Sequence, residues 1–200
     1  MASIRWLCVA TSLFLLSSLA AAEDFARQGQ QALDDNNPNQ AIACFSKAIQ
    51  ANPKDAASCR GRGDAYLQLG KFDPALADLN EALRLNPKDA AALALHARLW
   101  LMTGRNREAV AEATASLQLD AKNAGAYGTR GLAYDRLGAF PHAVADYTAS
   151  IRLHPTALKY SLRGRCYEML RQHERAVADF KEAARLDARS KDPQGQPRRN

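Results

Sequence analysis

The chain has 200 residues, 47% of them hydrophobic and 24% charged, with a formal net charge of +6. That balance is ordinary for a folded soluble protein, and the length leaves room for one repeat domain and no second globular one. The charge does not point to nucleic acid. Residues 189–200 carry a net +3 through Arg189, Lys191, Asp192, Arg198 and Arg199, and Arg5 adds one more. No basic stripe of the kind that tracks a phosphate backbone is evident.

Residues 1–22 stand apart from the rest. Arg5 is the only charge before Glu23, Trp6 to Leu19 is an apolar run, and Ala20-Ala21-Ala22 follows. A charged start, a short apolar core and an A-x-A site form the signature of a secretory signal peptide, with cleavage expected after Ala22. The run is short for a membrane span. The alternative is an uncleaved anchor through residues 6–22. The expected location is therefore exported, periplasmic or secreted.

From residue 22 onward the chain repeats. Gly29, Gly63, Ala97, Gly131 and Gly164 are spaced by 34, 34, 34 and 33 residues, and Ala41, Ala75, Ala109, Ala143 and Ala176 keep the same spacing. The units are 22–55, 56–89, 90–123, 124–156 and 157–190. Each reads as two amphipathic helices, roughly its positions 1–14 and 18–31. In the second unit Cys59, Gly63 and Tyr66 share one helical face, Gly70 breaks the first helix, and Asp73-Pro74 opens the second with a cap and a first-turn proline. LNPKD at 85–89 turns the chain into the next unit. Small residues at positions eight, twenty and twenty-seven let the two backbones approach closely. Residues 191–200, with Pro193, Gly195 and Pro197, read as a solvated polar and basic tail.

Position eleven is Ala32, Tyr66, Trp100, Tyr134 and Tyr167, and position twenty-four is Phe45, Leu79, Ala113, Tyr147 and Phe180. Position thirty-two is Pro53, Pro87, Ala121, Pro155 and Ala188. Together with the small residues, this pattern resembles the tetratricopeptide repeat family. The third unit fits least, with Ala113 for an aromatic and Ala121 for proline. The resemblance implies an all-α fold, a right-handed α-solenoid of five helix-turn-helix hairpins over 23–190, whose first helices line a concave side.

Catalytic chemistry is not expected. His96, His142, His154 and His173 hold no metal-ligand spacing, and neither a phosphate loop nor a nucleophile elbow is present. The chain is read as a non-enzyme with no cofactor and no metal. Cys44, Cys59 and Cys166 read as small packing residues, because antiparallel helices around Pro53 put Cys59 about four residues out of register with Cys44.

One pattern links positions seven and twenty-three. Where seven is Arg62, Arg130 or Arg163, twenty-three is Asp78, Asp146 or Asp179; His96 is matched by Glu112 and Gln28 by Cys44. Antiparallel pairing brings these positions within reach, so Arg62–Asp78, Arg130–Asp146 and Arg163–Asp179 are expected as structural ion pairs. The resemblance places a protein or peptide ligand on the inward face of the first helices. There the sequence offers Arg27, Gln30, Arg60, Asp64, Leu95, Arg98, Leu101, Met102, Leu132, Arg136, Leu162 and Arg165. Arg recurs in every unit and an apolar strip joins it in the third to fifth, which suits an extended peptide with apolar anchors and a few carboxylates. The two-carboxylate clamp of the family's chaperone-binding members is absent, with Ala26, Gln30, Gly61 and Asp64 at the relevant places. The expected role is adaptor or assembly scaffold. A structural, self-associating solenoid is the alternative, and a non-catalytic subunit of an envelope enzyme complex a lesser one.

Overall fold

A computed structural model describes residues 19–191, and the chain divides into two compact units, 1–95 and 96–200. Most of the expected signal peptide and residues 192–200 of the expected tail lie outside the described residues. Among the described residues there are ten α-helices and no strand. The described part of α1 covers 19–34. It is followed by α2 Pro38–Ala51, α3 Ala56–Gln68, α4 Phe72–Leu85, α5 Ala90–Met102, α6 Asn106–Leu119, α7 Ala124–Arg136, α8 Phe140–Leu153, α9 Ala157–Met169 and α10 His173–Lys191.

The helix borders follow from repeated local chemistry. The first helix of each later repeat is capped by the last residue of the repeat before it. Asp55 accepts from the amide of Ala57 at 3.0 Å, Asp89 from Ala91 and Ala92 at 3.0 Å each, Asn123 from Ala126 at 2.9 Å and Thr156 from Lys159 at 3.4 Å. Such side chains satisfy amide donors that have no partner inside the helix. These helices end in left-handed residues: Gly70 (φ 68°), Gly104 (φ 81°) and Gly138 (φ 75°), with Asn36 (φ 55°) and Arg171 (φ 57°) at the other two corners. The next amide then turns back onto the carbonyl of position eleven, from Asn37 to Ala32 (2.8 Å), Lys71 to Tyr66 (2.9 Å), Arg105 to Trp100 (2.8 Å), Ala139 to Tyr134 (2.9 Å) and Gln172 to Tyr167 (2.9 Å). The reversal delivers α4 at Phe72, two residues earlier than Asp73-Pro74 suggests. Its N-cap is Lys71, with no side-chain cap bond, and Asp73 instead sits in the first turn, where its charge favours the helix dipole.

Packing within a repeat rests on two positions. A Cβ added at Gly29 would lie 2.8 Å from the Phe45 ring, at Gly63 3.0 Å from Leu79, at Gly131 3.1 Å from Tyr147 and at Gly164 2.9 Å from Phe180. The large residue at twenty-four therefore rests on the bare backbone at eight. The third repeat has Ala97 in place of glycine and Ala113 in place of the large residue, and both are fully buried. Phe45 is held from two sides, because a Cβ on Gly61 of the next repeat would also collide with its ring.

Cores form between consecutive repeats inside each unit. In residues 1–95, Ala32, Ala41, Phe45 and Ala65 make one cluster, and Cys59, Ala82 and Ala92 another. In residues 96–200, Leu101, Ala109 and Ala133 cluster beside Ala143, Tyr147 and Cys166. Leu101, expected on the open face, belongs to this core: position twelve points at the neighbouring repeat, and the side chain is only 5% exposed. Cys44, Cys59 and Cys166 are buried free thiols. Burial pushes the Cys59 thiol up to about 11 and the Cys166 thiol up to about 12, in both cases helped by a nearby aspartate, Asp78 or Asp135.

Two outcomes test this packing. Gly61→Ala gains about 1 kcal/mol of helix propensity but forces Phe45 off Gly29, an overpacking cost of about 1–3 kcal/mol. The net expectation is a lower melting temperature by circular dichroism, and a higher one refutes the pinned ring. Second, Cys59 and Cys166 should resist alkylation at pH 8 until the chain is unfolded, as read by peptide mass mapping. Their raised folded values mean that this contribution to stability is intact below the ordinary thiol range and is lost as pH climbs through about 9 to 12.

Candidate binding surface

The second layer of the structure is electrostatic. Arg62 donates through Nε and Nη2 to the two carboxylate oxygens of Asp78, both at 2.7 Å. Arg130 does the same to Asp146 at 2.8 and 2.8 Å, and Arg163 to Asp179 at 2.8 and 2.7 Å. The aspartates are nearly fully buried. The hydrogen bond to the carboxylate raises each guanidinium further above its ordinary range, against the opposing effect of burial. Each arginine spends a third donor, Nη1, on a hydroxyl of the preceding repeat: Ser46 at 3.1 Å, Thr114 at 3.1 Å and Thr148 at 2.9 Å. The planar fork thus joins two helices of one repeat and the second helix of the one before. Sequence reasoning misses these hydroxyls, although Ser46, Thr114 and Thr148 each occupy position twenty-five of the unit before an arginine.

The third repeat replaces the fork. His96 Nδ1 lies 3.5 Å from Glu112 Oε1, neither ring nitrogen makes a hydrogen bond, and the ring rests against Trp100 at 4.8 Å. In the first repeat Gln28 donates to Asp24 at 2.8 Å on its own helix instead.

The residues assigned to ligand binding fall into distinct environments. Arg27 is exposed and pairs with Asp24 at 2.5 Å; Gln30 donates to Asp34 at 3.0 Å. Arg27 stands at position six, where the next repeat has Gly61 buried against Phe45. Arg60 is half-buried and tied to Asp89 at 2.5 Å, the carboxylate that also caps α5. Asp64, Leu95 and Arg98 are half-buried. Met102 is 46% exposed. Leu132 and Leu162 are half-buried along the cores of α7 to α9. Arg136 donates to the carbonyl of Leu101 at 2.6 Å, and Arg165 to Asp135 at 2.5 Å. The Arg165 side chain stays 60% exposed, so one contact fixes it while its other donors face outward. Met169, at 60% exposed, extends the apolar strip one turn beyond Arg165.

Two profiles described as tetratricopeptide repeat match the chain, over residues 32–99 and 129–193. The chain contains tetratricopeptide repeats. Solved structures agree in fold. MamA 41-end from Desulfovibrio magneticus RS-1 is 21% identical, with 86% of this chain and 97% of that one covered and a TM-score of 0.71. TTC0263, a thermophilic TPR protein in Thermus thermophilus, is 19% identical over 88% and 93%, at 0.71. PilF of Pseudomonas aeruginosa is 17% identical over 84% and 78%, at 0.76. No curated protein matches the chain in sequence. The fold is of the all-α solenoid class built from helical hairpins, and tetratricopeptide repeats serve in general as protein-interaction scaffolds. Among the described residues no group of three or more His, Cys, Asp or Glu could hold a metal ion, and no helix is long and apolar enough to cross a membrane.

Breaking one fork measures its worth. Asp146→Ala leaves the Arg130 guanidinium buried beside an empty position, an expected loss of about 3 kcal/mol. Thr114→Val removes one hydrogen bond and should cost about 1 kcal/mol. Chemical denaturation of both variants checks the ranking, and an unchanged midpoint for Asp146→Ala removes the fork as a source of stability.

Proposed function

We propose that this is an exported adaptor or assembly scaffold that binds a protein or peptide segment along the first helices of its repeats. The observation that carries the reading is the strip on α5, α7 and α9. There Met102, Leu132, Leu162 and Met169 offer apolar contact, while Arg136 and Arg165 are each positioned by one intramolecular acceptor. Guanidinium groups positioned in this way lose little conformational freedom when a carboxylate arrives. The ligand that fits is an extended segment with apolar anchors and acidic side chains. Recognition, without bond making, is the proposed activity. Export rests on the apolar run 6–19 and the A-x-A site. The described helix α1 runs through the expected cleavage point, and Ala22, on its leaving side, is packed at 2% exposure. Processing after Ala22 would therefore remove one buried contact from the first repeat.

Affinity capture with the full chain from an envelope fraction, run beside Arg165→Glu/Met169→Glu, tests the surface. A partner held by the wild type and released by the variant, at equal melting temperature, is the expected result. A partner retained equally by both moves recognition away from this strip. The N-terminal residue of the recovered chain, read by mass spectrometry, should be Glu23.

A further inference from the structure

The last repeat differs from the inner ones in a way that the first-helix strip does not explain. At position twenty-four Phe45, Leu79 and Tyr147 are at most 3% exposed, whereas Phe180 is 40% exposed. The Phe45 ring lies between Gly29 and Gly61; the Phe180 ring rests on Gly164 and meets no following repeat among the described residues. Beside it runs an open groove lined by Leu158, Ser161, Ala183 and Ala184, and Val177 is 48% exposed on the same helix. Helix α10 thus presents half of a packing arrangement that inner repeats complete.

The first repeat is built to stay open. Positions three, six and ten of the second repeat, Ser58, Gly61 and Ala65, are buried. In the first repeat they are Asp24, Arg27 and Gln31, all polar and held on their own helix by Arg27–Asp24 at 2.5 Å, Gln28–Asp24 at 2.8 Å and Gln31–Asp35 at 3.0 Å. Stacking α1 of one copy onto α10 of another would desolvate these paired polar groups against Phe180, which offers them no polar contact in return. Head-to-tail growth is therefore disfavoured.

We propose that α10 pairs with α10 of a second copy in an antiparallel, two-fold contact centred near Phe180. Such an axis sets the two Phe180 rings together, each filling the face that Gly61 fills on Phe45. Val177 comes opposite Ala184 of the second copy. Glu174 and Arg185, six residues before and five after Phe180, are both exposed on one flank of the helix. The antiparallel arrangement brings Glu174 of each copy to Arg185 of the other, whose guanidinium Glu182 already orients from one turn before. The charges complement one another in this orientation, and the contact is self-complementary, as a two-fold interface requires. The contact is centred on α10 and adjoins the strip proposed for the ligand at Leu158 of α9.

Sedimentation equilibrium of the full chain over a concentration series tests the pairing. A reversible monomer–dimer equilibrium is expected. Phe180→Lys should raise the dimer dissociation constant at least about tenfold, as loss of a central aromatic anchor does, with the helical dichroism signal unchanged. If that variant loses helix, Val177→Glu, at an exposed site, carries the same expectation. Glu174→Arg and Arg185→Glu should each weaken the dimer, and the two combined should restore it. A monomer at every concentration overturns the proposal and points to another occupant of the groove. An oligomer indifferent to Phe180→Lys, or a double charge reversal weaker than either single one, overturns it as well.

Discussion

The structure depends on how closely the two helices of a hairpin approach. That distance is set where a large side chain at position twenty-four lies on a residue without a side chain at position eight. Once the backbones are this close, the positions between them accept only small side chains, which is why Ala41, Ala75, Ala109, Ala143 and Ala176 are all fully buried. The third repeat departs from this pairing, with two alanines, Ala97 and Ala113, both fully buried.

Electrostatics then orient what packing has brought together. A buried carboxylate is costly unless its oxygens are met by donors, and the arginine fork meets both. The same guanidinium reaches back to the repeat before it, so one side chain fixes the angle inside a hairpin and the contact between hairpins. This explains why an arginine that looks available in the sequence is committed to the scaffold. Arg60, Arg136 and Arg165 are committed in part, through a carboxylate or a carbonyl. What distinguishes a scaffold arginine from one able to meet a ligand is how much of the guanidinium remains in water, and Arg165 retains most of it.

Much of the hairpin framework can be read directly from the residues. A period of 34 with small residues at fixed positions forces repeated helical pairs, and the corner glycines mark the breaks. Arginine and aspartate separated by sixteen residues are visible as a pair that changes together across the units. The third member of that network is harder to see, because Ser46, Thr114 and Thr148 look like ordinary surface residues until the next repeat supplies the donor. Helix starts are harder still: Asp73 looks like a cap, but the reversal after Gly70 already places Phe72 in helical geometry. Leu101 shows the limit of assigning a face by position number alone. Position twelve lies near the edge of two faces, and Leu101 turns inward against Ala109 and Ala133.

The caps carry a consequence for how the chain comes into being. Asp55, Asp89, Asn123 and Thr156 each belong to the repeat that precedes the helix they cap. During synthesis the cap therefore leaves the ribosome before the helix that needs it. A hairpin emerging at that moment finds an acceptor for its first amides already in place. In three of the five repeats it also finds the hydroxyl that its arginine at position seven will bind. Order of translation and order of consolidation run in the same direction, so the nascent array can be extended one hairpin at a time without waiting for its far end.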